Sequence, residues 1–368
     1  MSHPLSLSEI SIQGYKSINS LHSLKLKPLN VLIGSNGSGK SNFISFFSLL
    51  SHMIDGRFQQ YIAKGGQASS FLYQGQKITQ SIKARLYFGE EFYGFELEPT
   101  AQGALIFVKE EISRHQKEKA VQLSVRSDHF ESALPTPPQD NEEIQQIANY
   151  MLETISGWKV YHFHDTSPSA PVKHRSEIQD NQYFRPDAAN LASFLYRLKK
   201  ENFAHYKAIL DTVKQVAPFI HDFQLEPATD NPTVINFIWT AVNSDFPFRV
   251  DQFSDGTLRF ICLATLLLQP NPPATIIIDE PEIGLHPYAL VLLSNLLKQA
   301  SMRVQVIITT QSVTLLDTFE LEDLIIVERK DGQSVFERPD PERLKDWLCD
   351  YSLGELWEKN ILGGRPAQ

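Results

Sequence analysis

Residues 34–41 read Gly-Ser-Asn-Gly-Ser-Gly-Lys-Ser, and no other stretch restricts the fold of this chain so strongly. Its glycines allow close backbone approach that a Cβ would obstruct, so successive N–H groups can converge on the oxygens of an anion. Leu29-Asn-Val-Leu-Ile33 before it is a short apolar run, and Asn42-Phe-Ile-Ser-Phe-Phe-Ser-Leu-Leu after it is apolar at helical spacing. The order is strand, glycine loop, helix, the context in which such a loop holds phosphate. Lys40 then reaches the outer phosphates as a point charge, the Ser41 hydroxyl sits on Mg2+, and the helix offers its positive N-terminal end. Ser35, Asn36, Gly37, Ser38, Gly39, Lys40, Ser41 and Asn42 are therefore the candidate phosphate-binding residues.

A strand before a helix needs neighbours, and the last third of the chain supplies them. A helix around 256–268 is followed by a strand from Ala274 to Asp279, a helix over 287–300, a strand from Val304 to Thr309, another helix and a strand from Leu324. Strands alternating with helices predict a largely parallel sheet covered on both faces, an α/β fold. Residues 9–14 and 24–33 read as further strands, the second one buried, and 81–125 as antiparallel strands of a β-rich lobe. The run Leu134-Pro-Thr-Pro-Pro-Gln-Asp-Asn-Glu-Glu suits a solvated connection leading into a helix near 142–156. From Asn190 to Val213 apolar residues recur on one helical face, with a single break expected. The expected division is 1–80 and 246–335 for the two parts of the core, 81–135 for the β-rich lobe, 136–245 for a mainly helical insertion and 336–368 for a tail.

Composition narrows the function classes. With 368 residues, 42% apolar and 21% charged, the chain can bury more than one core's worth of surface. The first residues carry no basic segment followed by an apolar run, and no window approaches the ~18 apolar residues of a membrane span. A cytoplasmic location with no membrane contact is expected. Cys262 and Cys349 lie far apart without metal-ligand spacing, so both are expected to be buried and inert. A net charge of −9 gives no general attraction to polyanions, so any DNA contact needs a local basic surface.

Three further segments carry candidate chemistry. Thr275-Ile-Ile-Ile-Asp279-Glu280-Pro281 ends a buried strand in two carboxylates. Asp279 there can hold Mg2+ directly or through water, and Glu280 can polarise an attacking water. The bland alternative is an N-cap, since Glu-Pro often begins a helix. At Phe253-Ser254-Asp255-Gly256-Thr257 a hydroxyl and a glycine meet a helix start, which suits an anion but also describes a capped helix. His162 and His164 flank Phe163 beside Asp165 and would share one face of a strand; two imidazoles and one acid do not complete a metal site, so a structural or interface role is expected. Lys199-Lys200, and Lys117 with Lys119, read as solvated faces, with DNA contact the minority alternative.

The order phosphate loop, Ser-x-Gly helix start, Asp-Glu strand and Thr309-Thr-Gln-Ser312 strand end resembles the ABC-type ATPases. Among them the chain looks most like the compact bacterial RecF/SMC-like ATPases of the AAA family, over residues 5–55 and 250–330 and again in the tail Trp347–Trp357. The resemblance implies an ABC-type head that binds ATP and Mg2+. Two chains would sandwich two ATP molecules, with Ser254 and Gly256 of one closing on the phosphate loop of the other. It implies Glu280 as general base, Asp279 and Ser41 as magnesium partners, Gln311 as the switch residue, Lys16 in Gly14-Tyr-Lys-Ser as a nucleotide contact, and 282–286 as a loop crossing the dimer interface. It further implies a partner effector, such as a nuclease, in a genome-maintenance or antiphage module, with DNA a further candidate partner. The chain departs from the pattern in reading Ser-Asp-Gly for Ser-Gly-Gly and in carrying Gln311 where histidine is common, so turnover could be slow or conditional. Gln59, Gln60 and Gln67 compete for the glutamine-loop position. Two alternatives remain: a nucleotide-gated scaffold with negligible turnover, and an ABC transporter subunit that docks on membrane domains.

Overall fold

The computed structural model describes residues 6–113, 121–122, 129–137 and 141–364. Lys117 and Lys119 lie outside them. A six-stranded sheet forms the centre, in the order Gln333–Glu337, Leu324–Lys330, Leu29–Ile33, Gln305–Thr310, Thr275–Ile278, Lys159–Tyr161. All its pairings are parallel except the hairpin of its first two strands. Its inner strands are apolar on both faces because both faces are covered. Val31, Ile276, Ile278, Val306 and Ile308 point into one core with the helices Leu191–Glu201, Phe203–Val216, Asp255–Leu268 and Pro287–Ser301. Leu32, Ile277, Ile307 and Ile325 alternate to the other face and meet helix Lys40–Ile54.

That second core is closed by an antiparallel sheet in the order Ile18–Lys25, Glu9–Tyr15, Ile82–Phe88, Glu91–Pro99, Leu105–Ser113, Val121–Gln122. The β-rich lobe expected over 81–135 is thus continuous with the N-terminal strands. Residues 24–33 do not form one strand: the first hairpin ends at Lys25, and Pro28, which has no N–H to give a ladder, separates it from Leu29. The turn at Lys16-Ser17 that makes this hairpin is held by Lys16 at φ 47°. The helical break falls at Asn202.

The segment 136–245 is mixed rather than mainly helical. Besides the helices Glu142–Ser156, Leu191–Glu201 and Phe203–Val216 it contributes Lys159–Tyr161 to the edge of the central sheet, and Ile220–Gln224 and Ile238–Ala241 to a small antiparallel sheet. These strands are only three to five residues long, too short for a period to stand out in sequence. Cys262 is buried, but Cys349 is exposed, because the four-residue helix Trp347–Asp350 buries none of its side chains. Among the described residues, no helix is long and apolar enough to cross a membrane.

Candidate nucleotide site

The phosphate loop leaves the C-terminal end of Leu29–Ile33, where parallel strands direct their chains into one crevice. Gly37 and Gly39 take φ of 76° and 114°, which side-chain-bearing residues rarely adopt. A Cβ on Gly39 would lie 1.9 Å from Ser334 Oγ, and one on Gly34 2.2 Å from the Val327 carbonyl oxygen, so neighbouring strands press directly on the loop. Ser334 Oγ donates to the Ser38 carbonyl at 2.5 Å and bonds Ser17 Oγ at 2.7 Å, and Asn42 Nδ2 donates to the same Ser17 oxygen at 2.7 Å. The helix that follows has no side-chain cap, which leaves its first-turn amides open to an anion.

Lys40 is only 4% exposed. Its ammonium is folded back on the loop, donating to the Gly34 carbonyl at 2.6 Å and the Ser35 carbonyl at 3.1 Å. Burial depresses its pKa, and the carboxylates of Glu280, Asp279 and Glu282 work against that depression. The loop and the acid pair, 239 residues apart between Lys40 and Asp279, are therefore electrostatic neighbours.

The acids are held by the strand Gln305–Thr310, which lies between the loop strand and Thr275–Ile278. Thr309 Oγ1 donates to Asp279 Oδ1 and accepts the Glu280 N–H at 3.0 Å. Gln311 Nε2 donates to Glu280 Oε1. Glu280 has φ 45°, a left-handed conformation costing a residue with a side chain roughly 1–2 kcal/mol. The N-cap alternative does not hold here: no helix starts at Pro281, and the next one begins at Pro287, capped by His286. Glu282 Oε1 accepts from Thr310 Oγ1 and from the Gln311 N–H, both at 2.8 Å. Burial raises its pKa, the two donors oppose that rise, and the nearby Glu280 charge adds to it.

Ser254, by contrast, is exposed; its hydroxyl accepts the Thr257 N–H at 3.2 Å, as in an ordinary capped helix. Gly256 packs on the loop after the acid pair: a Cβ there would lie 2.4 Å from the Gly284 carbonyl oxygen. Arg259, one turn on, donates to the carbonyls of Phe163, His164 and Ile283 at 3.2, 2.9 and 3.2 Å. His164 Nε2 donates to the Asp279 carbonyl at 2.9 Å. His164 thus supports the end of the acid strand, with the His162 ring packed against it, and no cluster of three metal-ligating side chains exists among the described residues.

Lys16 donates to Ser45 Oγ at 2.8 Å on the loop helix, and burial depresses its pKa. With Ser17, Asn42, Gln74 and Arg329 it lines a cleft of about 540 Å³ beside that helix. Gln59 donates to the carbonyls of Leu105 and Phe130, and Gln60 and Gln67 are exposed; Gln74, which the sequence did not single out, is the glutamine on the cleft. Thr309, Glu282, Ser17, Ser334, Arg259 and Gln74 are the site residues that sequence reasoning missed. Thr309 had a signal in its place in the Thr-Thr-Gln-Ser strand end, and Glu282 one in the loop 282–286, which was read as an interface loop and not as a neighbour of the acid pair.

This geometry, a phosphate loop facing an acid pair across a parallel sheet, defines a P-loop ATPase head of the ABC type. Residues 29–317 match the family described as AAA domain, putative AbiEii toxin, Type IV TA system, and the chain belongs to that family. No curated protein matches the chain. Among solved structures it is similar to an Smc head bound to the C-terminal winged-helix domain of ScpA, with 15% identity and a TM-score of 0.60 over 92% of this chain and 99% of that one. It is also similar to an Smc head with an extended coiled coil bound to the C-terminal domain of ScpA derived from Pyrococcus furiosus, with 12% identity and a TM-score of 0.58 over 94% of this chain and 98% of that one. At these identities the likeness is one of fold.

Proposed function

We propose that this chain binds and hydrolyses ATP in a site completed by a second copy of itself, and that ATP-driven dimerisation signals to a partner effector. The observation that carries the reading is the buried Lys40 ammonium facing Asp279, Glu280 and Glu282. The amides of Asn36–Ser41 would cradle the phosphates, and Lys40 would exchange the Gly34 and Ser35 carbonyls for the outer phosphates. The Ser41 hydroxyl and the Asp279 carboxylate are hard oxygen donors of the kind Mg2+ takes alongside phosphate. When bound, Mg2+ would neutralise the charge developing between the outer phosphates. Glu280 would accept the proton of the attacking water as general base. Gln311 would hold that carboxylate through its amide N–H. Lys16 would contact the nucleotide from the cleft. Ser254 and Gly256 of the second copy would close on the outer phosphate.

Support for a partner and a defence role comes from the family's description as part of a toxin–antitoxin system. The exposed signature supports dimerisation, since its hydroxyl is engaged only by its own helix. The test is the ATPase rate and the oligomeric mass with and without double-stranded DNA ends, for wild type and Lys40→Ala. Turnover and ATP-dependent dimers, both lost in the variant, support the reading; no turnover and no mass change sink it. A second reading, a nucleotide-gated scaffold with negligible turnover, is favoured by the Gln311 amide already occupying an oxygen of Glu280. A Glu280→Gln variant separates the two: dimers outlasting those of wild type indicate hydrolysis, whereas equal lifetimes favour the scaffold.

A further inference from the structure

The segment after helix Leu353–Glu358 returns to the phosphate loop. The Gly364 carbonyl accepts the N–H of Ser35 at 2.8 Å, and the Gly364 N–H donates to Glu328 Oε1. Gly363 and Gly364 take φ of 87° and 86°, and a Cβ on Gly363 would lie 2.2 Å from Glu328 Oε1. Gly364 lies close enough to the loop that its own Cβ would sit 3.6 Å from Gly34 Cα. This is a fitted contact in which both glycines are needed, one for conformation and clearance and the other for conformation and approach.

The acceptor is prepared as well. Burial works against the charge on Glu328, but the Lys330 ammonium at 2.7 Å and the Gly364 N–H hold its pKa below the ordinary value. The segment is anchored independently of the latch: Leu353, Leu356, Trp357 and Leu362 are buried in the core that contains Val31 and Ile33. Ser35 lies two residues past Ile33, the last residue the loop strand pairs with its neighbours, so the sheet does not engage its N–H. Its carbonyl is held by Lys40. If Lys40 leaves for a phosphate, Ser35 keeps the Ser38 N–H on its carbonyl, a bond internal to the loop, and the Gly364 carbonyl on its N–H, which ties the loop to a segment outside it.

We propose that Gly363, Gly364 and Glu328 are positioning residues that preset the phosphate loop for nucleotide, so that this segment tunes affinity and not the chemical step. The proposal rests on the ATP-site reading. Two shortened chains test it: one ending after Leu362, which keeps every buried anchor, and one ending after Gly364, which keeps the latch. Glu328→Ala and Glu328→Gln form a second pair, because the amide retains an acceptor for the Gly364 N–H. The chain ending after Leu362 and Glu328→Ala should each raise the Kd and KM for Mg-ATP about tenfold, the scale of one hydrogen bond, with kcat unchanged. The nucleotide-free melting temperature should stay within a degree or two of wild type. The chain ending after Gly364 should match wild type, and Glu328→Gln should retain more affinity than Glu328→Ala. Amide hydrogen exchange, read without nucleotide, should show the Ser35 N–H exchanging at least about tenfold faster once residues 363–364 are gone. Unchanged exchange, a fall in kcat at constant KM, or affinity loss only in step with melting temperature would each overturn the proposal. A wild type that fails to bind ATP would sink the ATPase reading instead, and the exchange rate of Ser35 would still decide the latch.

Discussion

The phosphate loop and the signature segment are built to different standards within one chain. The loop is closed in on several sides: Ser334 holds it from one hairpin and is itself bonded to Ser17 of the other, Lys40 binds its carbonyls from within, and Gly364 takes the N–H of Ser35. Its acid neighbours are as tightly placed, with Thr309 on Asp279 and Gln311 on Glu280. Ser254 is exposed, and its oxygen engages only Thr257. A group that needs no reorganisation to act is worth most when fixed before the reaction. On the proposed reading, the fixed half is the half that one chain can finish alone. The loose half presents a hydroxyl and a helix start outward, as expected of a surface whose ligand is carried by another molecule.

Substitutions on the two sides should separate cleanly. The largest effect is expected at Glu280: Glu280→Gln should cut turnover ~10²–10⁴-fold, the usual worth of a general base, while leaving ATP binding measurable. Lys40→Ala should weaken ATP binding by ~10–100-fold, the loss of charge-assisted bonds, as read by calorimetry. Ser254→Arg should leave ATP affinity of the single chain within about twofold and abolish ATP-dependent dimers in sedimentation, because an exposed side chain contributes little to the fold. If it instead destroyed ATP binding in the monomer, the division between the two halves would be broken. Thr309→Val removes one donor to Asp279 and one acceptor for the Glu280 N–H, and should cost kcat about tenfold.

The smallest effect concerns Glu282 and pH. Its folded-state pKa is raised by burial, so its contribution to stability is fully present below the unfolded carboxylate pKa and is lost as pH rises through the folded value. Glu282→Gln keeps the acceptor for Thr310 and Gln311 without the charge. Thermal melts of the variant should therefore fall less with rising pH than those of wild type. An identical slope would mean that the carboxyl is not desolvated in solution.

Much of this was legible in the sequence because it was local. The phosphate loop, the apolar strand before the acid pair and the helix after Ser254 each declare themselves within about ten residues. The helical break at Asn202 followed from one interrupted face. The mixed character of 136–245 did not, since strands of a few residues carry too little periodicity. The supports of the site were hidden for a different reason. Ser334 lies 296 residues from Ser38, and Glu328 36 from Gly364; a serine in a hairpin or a glutamate near a strand end has no local mark of such a partner. The left-handed backbone of Glu280 was likewise invisible, because the hydrogen bond that holds its N–H comes from Thr309 on the neighbouring strand.

The most direct test mixes two inactive proteins. Lys40→Ala lacks the fixed half of the site and Ser254→Arg the outward half, and neither should hydrolyse ATP alone. If a second copy completes the site, an equimolar mixture should recover up to about half of wild-type turnover, because only mixed dimers hold an intact site and each holds one of two. A mixture as inactive as its parts, or a Ser254→Arg protein that turns over ATP as well as wild type, would contradict a site shared between two chains.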